Sequence, residues 1–380
     1  MLNFSLTKKQ LALIEKYKAF TQEWITPNAR KYDTLAEFPW EIIKEAYKAG
    51  VMNGIVPKKF GGCGYDIVDS ALIAEELGYG CAGIGIGIEA NSLALTPLLL
   101  GASEEQMKNV MGSLIEQKGV AAYCLTEPNA GSDVQNIQST AIKQGNEYIL
   151  NGHKRFITNA EVASFLTVFA ITDPSKGSRS LSAFIVPTSS PGIEFKPRMQ
   201  KMGQRASVQN EIIFTDVKIP KENLIKVEGF GFVLAMKTFD RTRTGVAALS
   251  IGAARSAYET SLNWAKQRIQ FGKPISSNQA IAFMLADMAT EIEAARALTW
   301  LAAWSYDHEK KKASTFSAMS KLKASDVAMK VATDAVQIMA GDGYSTEYDV
   351  EKIMRDVKLC QIYEGTNQIQ RIVISKGILK

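Results

Sequence analysis

Cysteine and histidine are scarce in this 380-residue sequence, and their scarcity removes several kinds of protein at once. Four cysteines, Cys63, Cys81, Cys124 and Cys360, stand far apart with no C-x-x-C spacing, which argues against a disulfide framework or a zinc site and fits a reducing compartment. His153 and His308 are the only histidines, so a histidine-based triad would have to use one of them and a metal site has few ligands to draw on; none is expected. Charge of one sign is not concentrated anywhere: 44 Lys+Arg against 39 Asp+Glu give +5, spread along the chain, with no arm or tail to suggest nucleic acid. The N-terminal Met-Leu-Asn-Phe-Ser-Leu-Thr-Lys-Lys lacks a signal-peptide stretch, and no run reaches the roughly 18 uninterrupted apolar residues of a membrane helix. These absences lead us to expect a soluble intracellular protein without a membrane span.

Proline is unevenly used: nine of 11 precede residue 200, and after Pro220 only Pro274 remains, which leaves the last third free for long helices. There Ile281, Leu285, Met288, Ile292 and Ala295 repeat at spacings of four and three, the seam of a packed antiparallel bundle, with Gly272-Lys-Pro274 breaking the pattern upstream. The first third is also helical, with Leu11, Ile14, Tyr17 and Phe20 three apart and amphipathic stretches at Trp40 to Ala49 and Ala71 to Leu77. The middle is β-rich at Phe165 to Ile171, Leu181 to Val186 and Ile212 to Val217. Asn151-Gly152, between two such runs, predicts a hairpin turn. The expected fold class is α+β: an N-terminal helical domain (1–119), a middle antiparallel β domain (120–228) and a C-terminal long four-helix bundle (229–380).

Gly78-Tyr-Gly80-Cys-Ala-Gly83 matches the dinucleotide fingerprint by letter, but it follows a helix rather than a strand, so we read it as a helix end and bend. Three other segments can carry chemistry. Tyr123-Cys-Leu-Thr-Glu-Pro-Asn-Ala-Gly-Ser-Asp133 could present the Thr126 and Ser132 hydroxyls and free N–H groups to a polar ligand, or be a hydrogen-bonded loop. In Gln361-Ile-Tyr-Glu-Gly-Thr-Asn-Gln-Ile-Gln-Arg371, Glu364 stands beside apolar residues just before a helix whose N-cap would be Thr366. It could stabilise the helix dipole, or serve as a general base made more basic by burial. Gln337-Ile-Met-Ala-Gly-Asp-Gly343 reads as a helix end, or as a place where a ligand approaches backbone.

Taken together with Phe156-Ile-Thr-Asn159, Met202-Gly-Gln-Arg205, Phe239-Asp-Arg-Thr-Arg243, Arg268-Ile-Gln-Phe-Gly272 and Asp334-Ala-Val-Gln-Ile338, these segments resemble the acyl-CoA dehydrogenases over the whole chain, most closely the medium-chain type. The resemblance implies that acyl-CoA is oxidised to trans-2-enoyl-CoA and that FAD is held between the β domain and the bundle. It also implies a homotetramer built as a dimer of dimers, with electrons passed to electron-transfer flavoprotein. It implies flavin contacts at Tyr123, Cys124, Leu125, Thr126, Gly131, Ser132, Phe156, Ile157, Thr158, Thr366 and Gln368. Arg268, Phe271, Gln337 and Gly341 would clasp the adenylate half across a subunit boundary, and Gln279 would also bind the cofactor. Glu364 would be the α-proton base, and Ser132, Asp240, Arg243, Tyr363, Gly365, Gly85 and Glu89 would meet the substrate.

Relatives of the isovaleryl and long-chain types place the base at the position of Thr242, which cannot act as one. Phe156 replaces the usual tryptophan, Asn129 and Asn136 stand where small residues are commoner, and Asp342 stands where asparagine is usual. Gly85 and Glu89 fall where medium-chain relatives shape the acyl-tail end, so the missing side chain at Gly85 should deepen the pocket and favour medium-to-long straight chains. The expected location is the bacterial cytoplasm, or the mitochondrial matrix for a processed chain.

Overall fold

The computed structural model describes residues 5–379. The chain opens with α1 (Lys8–Phe20), started by a Thr7 and Gln10 capping box, then α2 (Ala29–Leu35) and α3 (Trp40–Ala49). Next come α4 (Ile67–Gly80), capped by Asp66, α5 (Ala82–Gly101) and α6 (Glu104–Glu116), capped by Ser103. The β zone consists of β1 (Val120–Cys124), β2 (Thr140–Gln144), β3 (Glu147–Thr158), β4 (Ala163–Ile171), β5 (Leu181–Pro187), β6 (Ile193–Phe195) and β7 (Gln209–Pro220). The long helix α7 (Gly231–Gln267) then leads through a small hairpin, β8 (Ile269–Gln270) and β9 (Lys273–Pro274), to α8 (Gln279–His308) and α9 (Lys310–Tyr344). The chain closes with α10 (Asp349–Cys360) and α11 (Asn367–Ile378).

The strands form one sheet in the order β1-β4-β2-β3-β7-β6, with β5 pairing β4. It is mixed rather than wholly antiparallel, because β1 and β2 both meet β4 in parallel. The expected turn at Asn151-Gly152 is absent, and β3 runs straight through it. A register shift against β7 occurs there instead, and Gly152 lies so close to Ser139 that a Cβ would stand 2.0 Å from its hydroxyl. The β2–β3 turn falls at Gly145, whose φ of 62° suits a tight reversal. The Asn-Gly signal was local, and a bulge needing room for Ser139 uses the same residues.

In the C-terminal zone α7, α8 and α9 pack side by side, and the fourth place is shared by the short α10 and α11. The predicted seam is buried at Leu285, Met288, Ile292 and Ala295. The fingerprint-like glycines lie at the α4–α5 junction and serve packing: a Cβ on Gly78 would meet the Leu249 carbonyl at 2.1 Å, and one on Gly252 the Glu75 carbonyl at 1.9 Å. These two contacts are where α4 and α7 cross. Although Glu89 and Asn91 interrupt its apolar run, α5 is long and apolar enough by length and composition to cross a membrane, with a mean hydropathy of 1.4. Its stretch is 72% buried within the protein, which makes it a core helix.

Candidate active site

Glu364 lies in the turn between α10 and α11 with a φ of 51°, followed by Gly365 at 91°. A bulky residue held left-handed is strained, and such strain gathers at functional positions. The two carbonyls are drawn inward: that of Glu364 accepts from Gln370 Nε2 at 3.1 Å and from Arg243 Nε at 3.4 Å, and that of Gly365 accepts from Lys321 Nζ at 2.9 Å. Thr366 is the N-cap of α11, its hydroxyl accepting from the Ile369 amide at 3.2 Å. Thr242 Oγ1 on α7 donates to Glu364 Oε2 at 2.7 Å. Burial raises the Glu364 carboxyl above its ordinary value, while the Thr242 bond and the Arg243 and Lys321 charges oppose the rise. Arg243 in turn reaches Asp240 at 3.1 Å, and Ser314 donates to the same carboxylate at 2.8 Å.

Near this carboxyl stand Tyr123 and Phe239, whose rings lie 5.8 Å apart. The Tyr123 hydroxyl is buried without a hydrogen-bond partner among the described residues, and burial followed by the Glu364 charge pushes it well above a normal phenol. Tyr363 lies behind the turn, beside Gln204 and Cys360. Glu89 on α5 faces α7, its Oε2 2.8 Å from where a Cβ of Gly245 would stand. Burial, then the charge of Glu364, pushes the Glu89 carboxyl up to about 8. Gly85 has no open space beside it. A Cβ there would meet Leu249 Cδ1 at 2.7 Å and Leu77 Cβ at 3.3 Å, so the missing side chain is filled by packing and does not deepen the pocket.

A second surface comes from the β zone. Arg155 donates its amide to the Thr126 carbonyl at 2.9 Å, and Lys154 Nζ, buried, donates to the Leu125 carbonyl at 3.0 Å and to Glu127 at 2.8 Å. That network fixes the Tyr123–Asp133 loop from behind. On its outer side Thr126 is half-buried, Ser132 is exposed, and a Cβ on Gly131 would meet nothing within 4 Å. Cys124, Leu125 and Ile157 point their side chains into the core, which leaves only their backbone for a ligand. Phe156 is 54% exposed at a φ of 59°, with the Arg155 guanidinium 4.9 Å from its ring. Thr158 accepts from Gln209 at 2.9 Å, so its own hydroxyl proton is free to donate outward. An uncovered aromatic, a bare glycine and an outward hydroxyl donor fit a flat, polar-edged ring such as an isoalloxazine. Gln368, on the exposed face of α11, is free of the core.

Arg268, Phe271, Gln279, Gln337 and Gly341 gather at the opposite end of the bundle, where α7 ends, α8 begins and α9 breaks at Ala340. From Thr242 to Arg268 the helix advances about 39 Å. One chain therefore does not bring these residues to the Thr126–Thr158 surface. Phe271 is 97% exposed at the hairpin tip, and a Cβ on Gly341 would meet nothing within 4 Å.

Family models match in order along the chain: the acyl-CoA dehydrogenase N-terminal domain over residues 7–118, the middle domain over 122–217 and the C-terminal domain over 229–379. The chain belongs to the acyl-CoA dehydrogenase family. It is 40% identical to a probable medium-chain specific mitochondrial acyl-CoA dehydrogenase of Caenorhabditis briggsae, covering 100% of this chain and 92% of that one. Butyryl-CoA dehydrogenase of Megasphaera elsdenii superposes with a TM-score of 0.96 at 40% identity, with 100% of both chains covered. A chain from a structure described as the electron transferring flavoprotein of Acidaminococcus fermentans gives 0.97 at 43%, again with 100% of both covered. As an acyl-CoA dehydrogenase, this protein is an FAD-binding oxidoreductase acting on CH–CH donors. Among the described residues no three His, Cys, Asp or Glu side chains gather as around a metal ion.

Four further site residues escaped the sequence pattern: the Thr242 donor, Gln209 behind Thr158, and Gln370 and Lys321 beneath the Glu364 turn. Thr242 had a signal, because its position is the alternative base position. Gln370 lay inside the Gln361–Arg371 segment without being singled out, and Gln209 and Lys321 had no signal.

Proposed function

We propose that this acyl-CoA dehydrogenase converts straight-chain acyl-CoA to trans-2-enoyl-CoA with Glu364 as the base that removes the α-proton. The observation that carries this reading is the Glu364 carboxyl itself: on a half-buried residue, made more basic by desolvation, and held through one oxygen by Thr242, which leaves the other for the substrate. With its carbonyl drawn inward, the Glu364 amide is free to donate to the thioester oxygen as enolate charge develops. Bound FAD supplies the acceptor for the hydride leaving the β-carbon. Tyr123 and Phe239 exclude water around the reacting carbons, and the Asp240–Arg243 pair borders the same turn.

Because Gly85 is packed, the ground for preferring long chains falls away. An acyl tail that stops short of Glu89, of short to medium length, fits better. Likeness to the chain in the Acidaminococcus structure supports an electron-transfer flavoprotein as acceptor, and the two separated halves of the flavin surface support a homotetramer. Bacterial and mitochondrial relatives support the bacterial cytoplasm or the mitochondrial matrix. The test is anaerobic bleaching of bound flavin by acyl-CoA thioesters of four to eighteen carbons, in wild type and Glu364→Gln. Loss of a general base should slow bleaching by roughly 10²–10⁴-fold, and bleaching at the wild-type rate would remove Glu364 from the role.

A further inference from the structure

We propose that Lys321 is a positioning residue for the catalytic turn: from within α9 its ammonium holds the Gly365 carbonyl inward, so that the Glu364 carboxylate and amide face the acyl cavity. The inference rests on Glu364 being the base. Gln370 also holds the Glu364 and Gly365 carbonyls, but it belongs to α11 and moves with the turn; the Arg243 contact, at 3.4 Å, is long. Lys321 makes the short bond that fixes the turn to the rest of the bundle, at 2.9 Å to Gly365 and 2.9 Å to Asn367 Oδ1. Asn367, the first residue of α11, passes the tether on by donating to Ser325 at 3.0 Å and Asp326 at 2.7 Å.

An ammonium that is 0% exposed is costly to keep, and a methionine of similar volume would fill the space without desolvating a charge. The other buried residues of α9 are all uncharged, mostly alanine, serine and valine, so this lysine is not part of a buried ionic stripe. Charged or titratable neighbours face it from several elements: Arg243, itself paired with Asp240, from α7, Asp326 from its own helix, Cys360 from α10 and Glu364 from the turn. Burial lowers Lys321 to about 8, with Arg243 adding to the fall, so it stays mostly charged at neutral pH. That charge lowers the Glu364 carboxyl in return. Geometry and field therefore act together: the bond sets where the carboxylate and amide point, and the charge favours the anionic enolate above it.

The experiment compares Lys321→Met, which removes donor and charge, with Lys321→Gln, which keeps a donor but no charge, both as FAD-loaded protein. Flavin bleaching by eight-carbon acyl-CoA is followed against pH. Lys321→Met should lower the maximal rate per bound flavin by about 10²-fold with KM within about threefold, because misplacing a reacting group by about 1 Å costs that much. Lys321→Gln should recover part of the loss. In both, the acid limb of the rate profile should move to higher pH as Glu364 loses a positive neighbour, a change that a packing role would not produce. A rate per flavin within about threefold of wild type with an unmoved acid limb would overturn the inference. Failure of both variants to accumulate as folded flavoprotein would also overturn it, marking the lysine as structural. Glu364→Gln separates the two proposals: if it remains active the base is wrong, whereas an inactive Glu364→Gln beside unaffected Lys321 variants refutes the positioning role alone.

Discussion

Replacing Glu89 by glutamine isolates a carboxyl that the fold holds at a disadvantage. Its pKa rises from 4.5 to about 8, first through burial and then through the Glu364 charge. A raised carboxyl contributes stability that is whole below its unfolded value and is lost as pH climbs through its folded one. The loss therefore accumulates between pH 4.5 and 8. Integrating that shift at 1.36 kcal/mol per unit gives a penalty of about 1 kcal/mol at pH 5, growing to a ceiling of about 4–5 kcal/mol at pH 8.5. Glu89→Gln removes the titration, so the variant should be nearly as stable as wild type at pH 5 and more stable at pH 8.5. Thermal unfolding of both FAD-loaded proteins at the two pH values, at one scan rate, measures the difference. A stability gap that does not change with pH would refute the reasoning. The same protonation should also show in binding: the wild-type KM for an eight-carbon substrate should rise above pH 8 as Glu89 ionises beside the tail, and the variant's should stay flat.

Gly85→Gln should lower stability by overpacking, typically about 1–3 kcal/mol or more, without changing the ratio of kcat/KM between eight- and sixteen-carbon thioesters, because Leu249 and Leu77 occupy the space; a changed ratio would put Gly85 back in the cavity. Lys154→Met leaves Glu127 buried without its partner and should cost about 3–5 kcal/mol in unfolding and loosen FAD, read by calorimetry. Arg268→Ala should weaken FAD retention and subunit assembly together. Gel filtration showing a full, FAD-saturated oligomer would count against a clasp across subunits.

What the sequence made legible follows the strength of local signals. Trp40 to Ala49 is amphipathic, and α3 occupies those residues; Thr366 has the chemistry of an N-cap, and it caps α11. Gly85 misled because α5 is buried on nearly every side, so no polar face marks which residues line the cavity. Lys321 was silent for a different reason: in Ser-Lys-Leu-Lys-Ala-Ser a lysine reads as solvated, and only the packing of α11 over α9 buries it. The fold class followed from the zoned distribution of proline and β-branched residues, while the parallel pairing of β1 with β4 depends on a partner 43 residues away that no local pattern announces.

The crossing of α4 and α7 gives the molecule a fulcrum. Helix α7 is one rod of about 55 Å, pinned near its middle where Gly78 meets the Leu249 carbonyl and Gly252 meets that of Glu75. One arm carries Phe239, Thr242 and Gly245 past Glu364 and Glu89; the other ends at Arg268. A side chain added at the pivot would tilt both arms at once in opposite senses, disturbing the grip on Glu364 and the Arg268 end from a point that touches neither. Damage at these two glycines would therefore look, in any assay of turnover, like an injury to the chemistry itself.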